Sequence, residues 1–433
     1  MLINLKTQLL PPIGIIGLGL SGLSAKHLLL ASGFGPNDIF TFDEKSTEAD
    51  FTNRDQVLNR ILPKTIIVSP GFPLSDPLIK IWRDQGAFVT SEINLACSFL
   101  TDEKIIGITG SLGKSTTTSL IGAGLKSIDR NAFVGGNLGT PFCEYALSLI
   151  QNPQNKANWI VLELSSYQLE NSEKLKLDYS IITYLTPNHL ERYHHLFHYY
   201  ETKWHIQSLT KNKMILNTHG GDLKSFASTK NLSNVIWSDP HDHHIKLFSP
   251  EEAVILGKHN QDNLALAINL VLAAEIPKSC IEEIKKFSGL SHRLEVLGSC
   301  EGLLFINDSK ATTIDSVETA IESCLFKKNY QRVVVLLGGK DKKLPWPELR
   351  PKLMNKKIFP LFFGESGSNI KAQLLVDGPC YPSLSELLKN LNSLIHKGDV
   401  VLLSPGGTSY DEFKNFEERG EFFKNWVKTN YPI

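Results

Sequence analysis

Short apolar runs alternate along the chain with longer, mixed stretches. The runs at 13–16, 39–42, 65–71 and 87–93 are followed by runs at 105–108, 159–164 and 179–185. A last set lies at 303–306, 332–339, 358–364 and 400–407. Each run is four to eight residues long, rich in Ile, Val, Leu and Phe, and most end in glycine or a polar turn. Runs of that length without a polar alternate read as strands buried on both faces. The intervening stretches, such as 23–31 and the segment opening at Lys114, have room for helices. Strands alternating with helices predict parallel sheets and an α/β class. The grouping predicts three such units: residues 1–93, 94–288 and 289–433.

Length supports that division, because 433 residues exceed one core and suit two to four domains. Lys+Arg and Asp+Glu both number 45, so no charge excess points to nucleic acid or a membrane surface. Six cysteines lie far apart with no C-x-x-C pair, which argues against a disulfide framework and a zinc knuckle. They read as small buried hydrophobes in a reducing compartment. No apolar run is long enough to span a bilayer, and Pro11 and Pro12 break the N-terminal stretch. The expectation is a cytoplasmic protein.

Candidate chemistry sits where strands end. The stretch 104–118, KIIGITGSLGKSTTT, sets Gly107, Gly110 and Gly113 between a strand and a helix, then Lys114 and Ser115. Such a turn points backbone N–H groups at one spot, at the positive end of a helix dipole. A Lys and a hydroxyl there suit a polyphosphate and Mg²⁺. Ile108 stands where the usual G-x-x-x-x-G-K-[ST] spacing has glycine, so this is a P-loop variant. Upstream, Gly17-Leu18-Gly19-Leu20-Ser21-Gly22 follows a strand, and Asp43 ends the next one. That G-x-G-x-x-G pattern fits a dinucleotide, another nucleotide or a structural turn. The loops 18–21, 43–45 and 69–71 would converge on one ligand.

Four further features bear on that site. Glu163 is a carboxylate inside an apolar strand: either a second Mg²⁺ anchor after the P-loop or a charge on a half-exposed face. His189 ends a strand and is either a metal ligand or merely hydrogen-bonded. His194 and His198 read as surface, and Lys203, among aromatics, as a snorkelling surface lysine. Asn260 and Asn263 share a helix face and could read a purine edge or cap the helix.

ITGSLGKSTT (108–117), GGNLG (135–139), ELSSYQLE (163–170), NHLERY (188–193), GKHNQDN (257–263), SHRLEV (291–296), NDSKAT (307–312), LLGGKDK (336–342) and SPGGTSYDEFKNFEERG (404–420) together resemble the Mur ligases over nearly the whole chain. ELSSYQLE, the short GLGLSG domain and the DEFKNFEERG ending resemble the branch that adds D-glutamate to UDP-N-acetylmuramoyl-L-alanine in peptidoglycan precursor synthesis. Sister ligases, including the folylpolyglutamate type, share the P-loop and His elements. A nicotinamide oxidoreductase would leave the P-loop and Glu163 unexplained.

The resemblance implies a Rossmann-like UDP-binding domain, a central ATPase domain and a Rossmann-like domain for the amino acid, in a monomer. Leu18, Ser21, Asp43, Ser69 and Gly71 would hold UDP, and Asn137, Ser165 and Gln168 the muramoyl end. Gly110, Ser111, Gly113, Lys114, Ser115 and Thr116 would hold the ATP phosphates. Asn260, Asn263, His292, Arg293 and Asp308 would line adenosine and the γ-phosphate. Two Mg²⁺ would rest on Ser115 and Glu163, and on His189 and a carbamylated Lys203. Lys310, Thr312, Lys342, Ser409, Tyr410 and Phe416 would bind D-glutamate, with Lys114, His189, Lys203 and Lys342 taking part in catalysis. Ser111, Asn188 and Tyr410 depart from the common family residues, where Thr, an acid and an apolar side chain are usual.

Overall fold

The computed structural model describes residues 5–189, 192–193, 195–326, 329–340 and 342–432. Leu190, Glu191 and Asp341, within the motifs above, and His194, read above as surface, lie outside the described residues. The chain forms two compact units, Met1–Phe248 with Asp262–Ile284, and Ser249–Gln261 with Lys285–Ile433.

The first unit contains two sheets. The smaller is built from β1 (Ile13–Ile16), β2 (Ile39–Phe42), β3 (Thr65–Val68) and β4 (Phe88–Thr90), all parallel, in the order β2-β1-β3-β4. Every residue of β1, β2 and β3 is buried, as their unbroken apolar character requires. The larger sheet takes β5 (Lys104–Thr109), β6 (Phe133–Gly136), β7 (Trp159–Glu163), β8 (Leu177–Ile182), β9 (Thr210–Asn217) and β10 (Val235–Ser238). Its order is β10-β9-β8-β5-β7-β6, again all parallel. One apolar core, from Ile13, Ile15 and Leu28 to Phe142, Leu162 and Tyr199, serves both sheets. In each sheet the chain reverses direction of travel beside its first strand. That leaves a crevice outside the carboxyl ends, where ligands of open α/β sheets bind.

The second unit has one sheet: β11 (Glu295–Cys300), β12 (Leu303–Asn307), β13 (Arg332–Gly338), β14 (Ile358–Phe363), β15 (Cys380–Tyr381) and β16 (Asp399–Gly406). Their order is β11-β12-β16-β13-β14-β15. The expected wholly parallel unit is corrected at one edge, where β11 runs antiparallel to β12. The turn at Glu301 and Gly302, both at positive φ, closes that hairpin directly.

Other boundaries also shift. Residues 91–93 leave the strand expected over 87–93, because the Ser91 side chain accepts from Asn94 N and starts the helix Glu92–Cys97. The helix after the glycine fingerprint begins at Leu20 rather than 23, with Gly19 as its N-cap. Gly22 thereby falls in the first turn, where a Cβ would lie 2.0 Å from the Gly17 carbonyl. Strands β6, β9, β10, β11 and β15 were not foreseen, their apolar runs being short or mixed with Lys, Ser and Asn. Cysteine burial holds for Cys143, Cys280 and Cys324, while Cys97 and Cys300 are half-buried. Cys380 is exposed, because it lies on the two-residue edge strand β15.

Arg419, on the final helix Phe416–Asn430, is wholly buried. Its guanidinium donates to Ser309 Oγ (3.0 Å), Ser309 O (2.8 Å) and Gly407 O (3.2 Å), tying the turns after β12 and β16 together. Arg419→Ala orphans those acceptors and opens a cavity, so we expect a loss on the order of 3 kcal/mol in the second unit. Native-state hydrogen exchange of the β16 amides measures it, and unchanged protection would contradict it.

Candidate active site

The first unit carries a cavity of about 600 Å³ at the carboxyl ends of β1, β2 and β3. Gly17, Gly19, Ser21, Asp43, Ser69 and Gly71 line it, together with Asn137 and Gln168, from the segments that follow β6 and β7. The backbone explains the glycines. Gly17 lies at φ +89, and a Cβ there would sit 2.9 Å from Ser69 Cβ. Leu18 is buried and its N–H donates to Asp43 Oδ2 at 2.8 Å, so it shapes the cavity from behind. Burial works to raise the Asp43 pKa, but the N–H groups of Leu18, Lys45 and Ser46 together hold it below the usual range. Ser69 Oγ donates to Gly17 O at 2.7 Å. Ser165 and Gln168 form a reciprocal cap on the short helix Ser166–Leu169, which fixes the Gln168 amide at the cavity wall.

Glu44 and Lys45 of the expected 43–45 loop also line the cavity, as do Arg54 and Asp76, which sequence reasoning missed. Arg54 donates to Glu44 Oε1 at 2.8 Å and to Asp76 Oδ1 at 2.7 Å. Arg54 opens one helix and Asp76 caps another, so no local pattern tied either to the glycine turn.

The P-loop variant joins β5 to the helix Lys114–Lys126. Gly110, at φ +149, passes so close to Thr183 that a Cβ would meet its Oγ1 at 2.1 Å. Gly113, at φ +81, caps the helix. Ser111 is buried, its hydroxyl between Thr186 O (3.0 Å) and Tyr199 OH (3.1 Å). Lys114 Nζ donates to Gly110 O (2.9 Å) and Ser111 O (3.2 Å). Ser115 and Thr116 are half-buried in the first helical turn.

Glu163 is 2% exposed at the end of β7, so the half-exposed alternative is overturned. Its Oε1 accepts from Asn137 Nδ2 at 2.7 Å, while Oε2 is buried without a hydrogen-bond partner among the described residues. A buried carboxylate oxygen left unpaired is costly and calls for a cation. Lys203, in the helix Leu196–Trp204, is also 2% exposed, which corrects the reading of a snorkelling surface lysine. Its Nζ lies 4.9 Å over the Tyr199 ring. Burial first, then the charge of Lys114, push its amine well below the ordinary lysine pKa, with Glu163 opposing. Lys114, Glu163 and Lys203 therefore share one neighbourhood. His189 is half-buried at φ +54, with its ring 4.9 Å from that of Tyr167 and 6.1 Å from that of Tyr199. His195, His198 and His205 are exposed. Asn263 is buried, and Thr117 Oγ1 donates to its Oδ1 at 3.2 Å.

Within the second unit, Asn260 is buried and its amide donates to Leu256 O. His292 is buried at φ +62, and its Nδ1 lies 3.0 Å from Asn307 Nδ2. Burial holds its pKa below the ordinary histidine value. Asp308 accepts from Ser404 Oγ (2.8 Å) and Leu294 N (3.1 Å), and burial raises its pKa to about 7. The Phe416 ring lies 4.9 Å from Lys310 Nζ and 6.1 Å from the His292 ring, so His292, Lys310 and Phe416 form one cluster. Thr312 is half-buried nearby in sequence, Ser409 is buried, and Arg293, Lys342 and Tyr410 are exposed.

Known proteins are similar to this chain in sequence and fold. The Mur ligase middle domain matches residues 108–271, and the Mur ligase glutamate ligase domain matches residues 292–407. The UDP-N-acetylmuramoylalanine–D-glutamate ligase of Anaeromyxobacter dehalogenans is 34% identical over 87% of this chain and 84% of its own. That of Gloeothece citriformis is 31% identical over 96% of this chain and 99% of its own. Among solved structures, a MurF from Acinetobacter baumannii superposes with a TM-score of 0.59 at 15% identity, covering 93% of this chain and 98% of that one. MurC from Thermotoga maritima gives 0.54 at 18%, covering 96% and 99%. With well over half of its length carrying the family's domains and relatives above 30% identity over nearly the whole chain, the chain belongs to the Mur ligase family.

Proposed function

We propose that the protein is an ATP-dependent ligase that joins D-glutamate to UDP-N-acetylmuramoyl-L-alanine. The observation that carries it is the convergence of Lys114, the half-satisfied carboxylate of Glu163 and the buried amine of Lys203 beside a glycine phosphate loop. The names of the full-length relatives support the substrates.

A carboxylate does not acylate an amine at neutral pH, because oxide leaves poorly. Transfer of the γ-phosphoryl group of ATP to the L-alanyl carboxylate forms an acyl phosphate and releases ADP. The glutamate amine then attacks the acyl carbon, a proton is lost, and orthophosphate leaves with its electron pair. Triphosphate, carboxylate and glutamate repel one another, so groups that offset the developing charge lower the barrier. Magnesium, when bound, would supply part of that offset and polarise the phosphoryl oxygens. The orphaned Oε2 of Glu163 fits one ion with Ser115. Lys203 fits the other with His189 once its amine has added CO₂, which requires the uncharged amine that burial favours.

The remaining roles follow the position of each cluster. The cavity at 17–22, 43–45 and 69–71 would take the nucleotide, with Asn137 and Gln168 toward the muramoyl end. Asn260, Asn263, His292, Arg293 and Asp308 would serve adenosine and the γ-phosphate. Lys310, Thr312, Lys342, Ser409, Tyr410 and Phe416 would hold the amino acid. Residues 1–93, 94–288 and 289–433 would then be the UDP-substrate, ATP and amino-acid domains. Among the described residues no helix is long and apolar enough to cross a membrane.

The test is phosphate release with ATP, Mg²⁺ and UDP-N-acetylmuramoyl-L-alanine, screened over D-glutamate, L-glutamate, L-alanine and diaminopimelate. Release dependent on D-glutamate is expected; a preference for another amino acid assigns a sister activity. Glu163→Gln keeps the Asn137 contact and removes the charge. We expect about 10²-fold slower turnover, since charge-offsetting groups are worth about 3 kcal/mol.

A further inference from the structure

Two charged side chains that the proposed reaction leaves without a role lie between the nucleotide cavity and the turn carrying His189. Glu170 caps the C-terminus of the helix Ser166–Leu169. Arg192 stands three residues after His189. Its Nη2 donates to Glu170 Oε2 at 2.5 Å, and the two side chains are only 11% and 18% exposed. The same guanidinium donates to Pro70 O at 2.9 Å and Phe72 O at 3.4 Å, and stacks 4.1 Å over the Tyr167 ring. Glu170 uses its other oxygen to accept from Tyr193 OH at 2.5 Å.

Both ends of this bridge matter. Pro70 and Phe72 line the 600 Å³ cavity beside Ser69 and Gly71. On the other side, Arg192 N and Tyr193 N both donate to His189 O at 3.0 Å, closing the turn in which His189 sits at φ +54. A left-handed backbone at a non-glycine residue persists only where its surroundings over-determine it. Glu170 provides that, because it anchors both residues that close the turn. Tyr167, clamped under Arg192, also packs against the His189 ring. The pair is largely shielded from water, and the planar guanidinium serves three acceptors while stacking on Tyr167, a geometry that a lysine ammonium does not reproduce.

We infer that Glu170 and Arg192 are positioning residues for the ligase reaction: they hold the cavity turn at 70–72 and the His189 turn in one register. Filling the cavity with the nucleotide sugar therefore steadies His189. The inference rests on the reading of His189 as a metal ligand given above.

The test uses the full chain with Arg192→Met, Arg192→Lys, Glu170→Gln and the double variant Arg192→Met/Glu170→Gln, each checked for fold by circular dichroism. Steady-state kinetics separate the substrates. We expect the single variants to raise the Mg²⁺ concentration for half-activation and the KM for the nucleotide sugar by about tenfold or more. The KM for D-glutamate should stay within about twofold. The double variant should be no worse than Arg192→Met, as for two members of one contact, and Arg192→Lys should recover little. A second readout needs no turnover: on binding UDP-N-acetylmuramoyl-L-alanine, the Arg192 and Tyr193 amides should gain exchange protection in the wild type and not in Glu170→Gln. Unchanged Mg²⁺ activation with unchanged protection, or additive losses in the double variant, overturns the clamp. If the wild type forms no amide yet shows the protection, the function falls and the clamp stands.

Discussion

Lys114→Ala is expected to slow D-glutamate-dependent phosphate release by about 10²–10³-fold while leaving the circular dichroism spectrum unchanged. The size follows from the worth of one preorganised charge, about 3–4 kcal/mol, in a site where like charges meet. The tolerance of the fold follows from position. Lys114 is the first residue of its helix, half-buried, and its amine is satisfied by the carbonyls of Gly110 and Ser111. Alanine is a better helix former and keeps the start of the helix. The loop's shape depends on Gly110 and Gly113, whose φ values are unaffected. Turnover within a few-fold of wild type would remove Lys114 from the site.

Lys203→Ala and Lys203→Arg should both lose about 10²-fold or more in turnover. The arginine result is the informative one. Arginine keeps length and charge, so it would suffice if Lys203 acted as a cation. A guanidinium, always protonated, cannot add CO₂. Wild-type protein in CO₂-depleted buffer should lose activity and regain it with bicarbonate, and ¹³C-bicarbonate should give a carbamate resonance missing in both variants. Burial of the amine is what favours its neutral form. Full activity of Lys203→Arg would refute the carbamate.

Much of the candidate site's backbone is legible in the sequence. The P-loop and the GLGLSG turn impose backbone conformations that only glycine meets cheaply, so their chemistry is written in adjacent residues. Gly17, Gly110 and Gly113 all adopt positive φ. Interior strands other than the Lys-containing β9 were legible too, because an unbroken apolar run is buried wherever it lies. Edges were not. The antiparallel β11 and the two-residue β15 are held by pairing with neighbours, and their own composition carries little signal.

By itself, then, the sequence determined the α/β class, the glycine-shaped turns and the identity of the groups available for phosphate chemistry, because each depends on residues within a few positions of one another. Tertiary structure alone decided what those groups are. Lys203 is buried with its amine over the Tyr199 ring. Asn137 satisfies half of Glu163 and leaves the other half waiting. Arg192 reaches across 122 positions to Pro70. Burial and pairing set the charge state and energy of a polar group, and both come from chain segments that no local pattern names.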